Sequence, residues 1–286
     1  MPQTVNVIPV KLGDLRAAST ADGGTALSTT VTGAADPTTG LGITPIPFGS
    51  DYMSITPRNL SGAAVAKYSL NPFLTIFWTN DSGITVTDIS DEMQDGDTTA
   101  SAIDDLTTLA LGGAMYVGAR EQFRGVAVDV GADPNGDAND LTVNYWRSGG
   151  SWQDATDTDA TDTGASFAVD GTVTWAIPSD WSRASLSAIG TQLGSGFEFD
   201  LPKDAPEYTT PLYWTRWEWS AAMDSSTDIL QMLSLNRSTA PAEYLEGQAV
   251  DFSLGKREIG NVQGSTDGGT ANLLINVGVL VGNRFE

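Results

Sequence analysis

From residue 71 onward, short runs rich in β-branched and aromatic residues alternate with clusters of glycine, aspartate, asparagine and proline. Segments such as 73–78, 124–130, 141–146 and 271–281 have the length and composition of strands, and several alternate with period two. Helical periodicity is nearly absent, and the best candidate is a single turn over residues 178–184. Because parallel βαβ units need helices between their strands, the sequence predicts an all-β, jelly-roll-like β-sandwich.

The 286 residues divide into three predicted regions. Residues 1–70 are expected to form an extended N-terminal arm with short strands, and residues 71–235 the β-sandwich core domain. Residues 236–286 supply C-terminal strands that complete the sandwich or contact a neighbour. Little in residues 17–42 could offset the entropy of ordering, so the arm is either mobile or held by a partner.

The arm carries isolated apolar side chains that could bind a partner. These candidate partner-binding residues are Val5, Val7, Ile8, Val10, Ile43, Ile46 and Phe48. The alternative is a local strand followed by ordinary surface loops.

Two residue types are missing altogether, since the chain has no cysteine and no histidine. Thiolate and histidine metal sites, cysteine nucleophiles and Ser-His-Asp catalysis are therefore excluded. Paired carboxylates could still hydrolyse a glycoside, so that route stays open. No run of 18 apolar residues and no N-terminal signal is present, and we expect no membrane partner.

The net charge is −22, and the chain has 27 aspartates against 9 glutamates. Phosphate binding needs a basic footprint, so a nucleic-acid partner is not expected. An acidic surface keeps copies soluble, and it also suits saline surroundings.

One loop offers oxygen ligands at alternate positions, Asp133, Asn135 and Asp137. That spacing is how calcium loops begin. The rest of the pattern fails, because Ala138 stands where the sharp turn needs glycine and Asn144 where a bidentate glutamate belongs. The loop is therefore a possible calcium site, with a solvated acidic loop as the alternative; no other cofactor is predicted.

Residues 213–219 form the most aromatic stretch of the chain. Strand alternation places Trp217 and Trp219 on one face, with Trp214 and Arg216 on the other. Facing outward, the first pair would resemble a sugar-stacking platform; facing inward, it would fill the core. We favour the core, because every sandwich strand buries one face and this face is the more apolar.

An ordered series of short motifs runs through the central region. It comprises Tyr116-Val117-Gly118, Phe123 with Gly125, Leu141-Thr142-Val143 with Tyr145-Trp146, Gly150-Ser151-Trp152, residues 170–175, Pro178-Ser179-Asp180-Trp181, and Tyr213-Trp214 with Arg216. Over residues 73–235 this series resembles a β-sandwich module found in structural proteins of tailed-phage virions. The motif positions have the character of fold-defining aromatics and turns, so the resemblance transfers no functional residues.

The resemblance implies a non-enzymatic virion protein, made in the host cytoplasm, that works as a capsid decoration or cement protein. Its expected partners are the major capsid protein and further copies of itself in a symmetric homo-oligomer. One alternative is a tail or fibre component that binds host-surface glycan. The other is a carboxylate-dependent glycosidase, which needs two carboxyls about 5 to 9 Å apart.

Overall fold

A computed structural model gives the fold. It describes residues 6–10, 25–26, 43–46, 52–61, 66–79, 86–94, 113–190, 209–224, 226–235, 243–245, 250–253, 259–266 and 270–281. Within these ranges, 20 strands form four sheets, and every pairing is antiparallel. The all-β class predicted from the sequence is confirmed.

Two sheets come from the middle of the chain. The seven-stranded sheet contains, in spatial order, β11 (Ser151–Asp154), β10 (Leu141–Arg147), β15 (Leu212–Trp219), β8 (Met115–Ala119), β6 (Thr75–Thr79) and β7 (Val86–Asp88), with β14 (Arg183–Ala184) on β15. The four-stranded sheet contains β12 (Thr158–Asp159), β13 (Gly171–Thr174), β9 (Gly125–Asp129) and β16 (Gln231–Ser234).

The other two sheets combine strands from both ends of the described chain. One contains β1 (Asn6–Val10), β20 (Thr270–Val281), β4 (Tyr52–Ser61) and β18 (Val250–Ser253), with β2 (Thr25–Ala26) on β20. The other contains β17 (Glu243–Leu245), β5 (Ala66–Pro72), β19 (Ile259–Thr266) and β3 (Ile43–Pro45).

No strand between β6 and β16 shares a described sheet with a strand from either end. We call β6–β16 the central sandwich and the other nine strands the flanking unit. The central sandwich spans 75–234. The flanking unit draws its strands from the regions predicted as the arm and the C-terminal addition. Their long strands β4 and β20 pair over most of their length and so join the two ends of the chain in one sheet.

The core of the central sandwich lies between its two sheets. Val126 and Val128 of the four-stranded sheet pack in one cluster with Val117 and Val143 of the seven-stranded sheet, all at 0% exposure. Val130 continues the buried face of β9, as the alternation in residues 124–130 predicts. Each such valine stabilises the fold by about 1.5 to 3 kcal/mol relative to an exposed one.

The predicted helical turn at Pro178 forms a turn but not a helix. The Trp181 N–H donates to the Pro178 carbonyl at 3.4 Å, and Trp181 then forms a β-bridge with Arg147. The Trp181 ring packs against Phe123, with centroids 5.4 Å apart. The short helix α1 (Leu186–Gly190) begins further on, and its Leu186 is fully buried on the outer face of the seven-stranded sheet.

Buried amides join the flanking unit to the central sandwich. Asn71 donates to the carbonyl of Ser234 at 3.1 Å and to Asn261 Oδ1 at 2.7 Å. Asn261 donates in turn to the Ser234 carbonyl and hydroxyl, both at 3.1 Å. On the adjoining segment, Gln94 accepts from the Leu74 N–H at 2.8 Å and donates to the Leu74 carbonyl at 2.7 Å. Such a satisfied buried network fixes the register between the two units.

Candidate functional site

The aromatic strand β15 faces inward with the side that sequence alternation favoured. Trp217 is 0% exposed and Trp219 is 7% exposed, and both belong to the core between the two central sheets. The core interpretation is therefore confirmed, and the exposed sugar-stacking platform is wrong for these two rings. Phe167 packs edge-on against Trp219, with centroids 5.5 Å apart. Sequence analysis missed Phe167, whose φ of 63° is rare for a bulky residue.

The opposite face of β15 is also aromatic and buried. Trp214 is 0% exposed, and its indole N–H donates to the Ala184 carbonyl at 2.9 Å. Gly118 lies directly opposite Trp214 on β8. A Cβ on Gly118 would lie 2.6 Å from the Trp214 ring. The Tyr-Val-Gly motif therefore ends in glycine because the indole occupies the space of a side chain.

Beside Trp214, the same outer face carries the guanidinium of Arg216. Arg216 donates to Glu218 Oε2 at 2.7 Å and stacks over the ring of Trp152, 5.2 Å from its centroid. Asn144 also donates to Glu218 Oε2, at 3.1 Å. Burial raises the pKa of the Tyr116 hydroxyl, and Arg216 partly opposes that rise. The Tyr116 ring is buried on this face, and its hydroxyl interacts with Arg216.

The predicted calcium loop is organised around Asn135. This residue is 3% exposed, and its Oδ1 accepts N–H groups from Asp137 at 3.1 Å and Asp224 at 2.9 Å. Its amide donates to Asn139 Oδ1 at 3.1 Å and to the Ser166 carbonyl at 2.8 Å. A cation bound by Asp133, Asn135 and Asp137 would have to displace two N–H donors from Asn135. The calcium site stays a prediction, with that cost attached.

Aspartates serve the turns of the central sandwich. Six of them accept the backbone N–H of the residue two positions later, which is the Asx-turn geometry. They are Asp88, Asp129, Asp154, Asp159, Asp162 and Asp224. Two more reach further, since Asp157 accepts from the Val143 N–H and Asp170 from the Val130 N–H. The Asp-rich loops are therefore ordered by their own carboxylates.

Asp157 is the carboxylate whose environment changes its titration. Burial raises its pKa above 3.8, the nearby Asp159 and Asp154 add to the rise, and the bond from the Val143 N–H opposes it. Among the described residues, no group of three or more Asp, Glu, His or Cys is placed to hold a metal ion.

The candidate partner-binding residues fall in or near the flanking unit. Val7, Ile8 and Val10 lie in β1, which pairs with β20 of the same chain, and Ile43 pairs with Gln263. Ile46 is 3% exposed, and its N–H donates to the Gly260 carbonyl at 2.7 Å. Ile46 is therefore covered by its own chain, and its role in binding a partner stays a prediction. Val5, Phe48 and the interval 27–42 lie outside the described residues.

In the described part of the chain, no helix has the length and apolar character needed to cross a membrane. Comparison with known proteins gives no assignment, since no protein-family model matches the chain and no curated protein matches it.

Proposed function

We propose that the protein is a non-enzymatic structural component of a tailed-phage virion, acting as a capsid decoration or cement protein. It would bind the major capsid protein and other copies of itself, and it would reside in the virion after synthesis in the host cytoplasm. The proposal builds on the ordered motif series of residues 73–235.

One observation carries the proposal: the side chains best suited to binding or chemistry are already used inside the fold. The tryptophans of β15 fill the interior or lie over Gly118. The aspartates of the loops accept backbone N–H groups in turns. What the central sandwich presents to a partner is a mostly acidic surface, which suits a protein that works by covering another surface.

The test uses the full chain and undecorated capsids of the phage that encodes it. We expect saturable binding at a fixed ratio to the capsid lattice, seen by co-sedimentation and by cryo-EM, together with a higher temperature of capsid disruption. Binding only to tails would contradict the decoration role. Absence from purified virions, with no binding to capsids, would contradict the virion role itself.

Deleting residues 1–40 is a weaker test. That deletion removes β1 and β2, which belong to a sheet of the chain itself. Lost attachment could then reflect a damaged flanking unit, so the truncated protein must first show unchanged thermal unfolding.

A further inference from the structure

Arginines are concentrated at one end of the central sandwich. Four of the five described arginines of this unit lie where β8 and β10 end and β15 begins: Arg120, Arg124, Arg147 and Arg183. We call this surface the arginine end. The fifth, Arg216, lies in mid-strand and is paired with Glu218.

Backbone pairing and side-chain contacts join these residues in one surface. Arg183 pairs with Tyr213 on β15 and lies over its ring, 5.0 Å from the centroid. Tyr213 lies opposite Ala119, the residue before Arg120. Arg147 forms its β-bridge two residues before Arg183 in the chain, at Trp181. Arg120, Arg147 and Arg183 are exposed in the complete chain.

Two described acidic residues, Glu121 and Asp180, also lie at this end and are outnumbered by the arginines. Arg183 pairs with Glu121 at 3.2 Å, an exposed contact. The Nε of Arg124 is buried and has no hydrogen-bond acceptor among the described residues. A single buried N–H without an acceptor is uncommon, and a water or an anion beside it would satisfy it. Burial also lowers the pKa of Arg124, which a neighbouring carboxylate would reverse.

The opposite end of the same sandwich is acidic. β10 begins there at Leu141, so the two ends are about 20 Å apart at roughly 3.4 Å per residue. The aspartates of this end share two linked loops: Asp133, Asp137, Asp140, Asp224 and Asp228. The loops are joined by the bonds from the Asp228 N–H to the Asp133 carbonyl and from the Asp224 N–H to Asn135. No described lysine or arginine lies in these loops. We call this surface the aspartate end.

We propose that the arginine end is a docking surface for the aspartate end of a second copy of this chain, so that the protein associates head to tail. A surface of opposite charge is present on the molecule itself, in the loops at the far end of the same unit. Such a contact uses two different surfaces, and it closes into a ring or continues as a chain.

The overall charge of −22 opposes this contact but does not decide it. At about 0.15 M salt the Debye length is roughly 8 Å, so repulsion between whole molecules is screened while contacts between touching groups persist. Complementary patches then set the orientation of the encounter. The proposal deepens the self-association part of the proposed function. Because its test contains no capsids, its failure leaves capsid binding standing, and the reverse also holds.

The test is sedimentation velocity on the full chain at about 0.15 M salt with three double variants. Arg147→Gln with Arg183→Gln neutralises the arginine end, and Asp137→Asn with Asp140→Asn neutralises the aspartate end. Thr87→Glu with Gln153→Glu, at exposed positions within the edge strands β7 and β11, is the control, since it shifts net charge by the same two units as the arginine variant.

We expect the wild type to associate and each end variant to dissociate at least tenfold more readily, whereas the control stays close to wild type. The aspartate variant is the sharpest case. It lowers the net negative charge, so general repulsion predicts tighter association, while head-to-tail docking predicts weaker association. Mixing the two end variants should restore a dimer, because one keeps an intact aspartate end and the other an intact arginine end.

Three results would overturn the proposal: a monomeric wild type at all accessible concentrations, tighter association of the aspartate variant, or no dimer in the mixture. Each variant must also unfold at the same temperature as the wild type, so that a folding defect is not mistaken for weaker association.

Discussion

Placing a methyl group on Gly118 tests how tightly the outer face of the seven-stranded sheet is packed. The Cβ of Gly118→Ala would lie 2.6, 2.7 and 2.9 Å from Cε3, Cζ3 and Cδ2 of Trp214. The ring cannot move aside freely, because it is fully buried and its N–H is bonded to Ala184. Overpacking of this kind costs about 1 to 3 kcal/mol, and loss of the indole hydrogen bond adds about 1 kcal/mol.

A smaller gain opposes this cost, since alanine restricts the unfolded chain by about 0.4 to 1 kcal/mol relative to glycine. The net destabilisation is then about 1 to 3.6 kcal/mol. Each kcal/mol shifts Tm by about 2 to 4 °C for a unit of 150 to 250 residues, so Tm should fall by roughly 2 to 14 °C. Differential scanning calorimetry measures it. Gly149→Ala is the matched control, because its nearest contact would be Arg147 Nε at an ordinary 3.7 Å. Equal Tm values for the two variants would refute the packing argument. Replacing Trp214 by Phe in the Gly118→Ala background should recover part of the loss.

Four further perturbations follow from single contacts. Thr156 has φ of 54° on an exposed loop; Thr156→Asn relieves strain of about 1 kcal/mol and should raise Tm, whereas a lower Tm would contradict it. Burial, then Asp159 and Asp154, raises the pKa of Asp157 above 3.8, so its folded state binds protons more tightly and stability falls as pH rises through the raised pKa. Asp157→Asn should therefore raise Tm at pH 7, and the gain should vanish below about pH 3. Asp162→Asn keeps an acceptor for the Gly164 N–H, whereas Asp162→Glu loses it. The free energy of unfolding measured in urea should therefore be higher for the Asn variant than for the Glu variant. Asn71→Ala leaves Asn261 Oδ1 without its 2.7 Å donor and should lower the free energy of unfolding by about 1 to 3 kcal/mol in chemical denaturation.

Local pattern accounts for the strands of the central sandwich. Alternation in residues 124–130 and 213–219 predicted both the strands and their buried faces, because side chains in a strand point to opposite sides at every step. β4 was missed because its ten residues interleave serine, threonine and proline with a few apolar positions. Pairing between chain ends is beyond local pattern, since β4 and β20 meet across most of the sequence.

The candidate sites, too, were predictable only where local sequence pattern was enough. Oxygen spacing identified Asp133, Asn135 and Asp137 by ligand type, but no spacing rule reveals that the Asn135 oxygen accepts two N–H groups. The arginine end could not be predicted from the sequence for another reason. Arg120 and Arg183 are 63 positions apart, and only the pairing of β8, β15 and β14 brings them to one surface.

The excess of aspartate over glutamate connects the turns to the surface charge. A requirement for negative charge alone would be met equally by either residue, and it gives no reason for 27 aspartates against 9 glutamates. Turn geometry does give one, because only the short side chain reaches the N–H two residues on. The turns lie at the ends of strands, so carboxylates selected for turns collect at the ends of the sandwich. Arginine-bearing turns occupy the other end, so the same architecture concentrates aspartates and arginines at opposite ends of the described central sandwich, although the net charge of the chain is strongly negative.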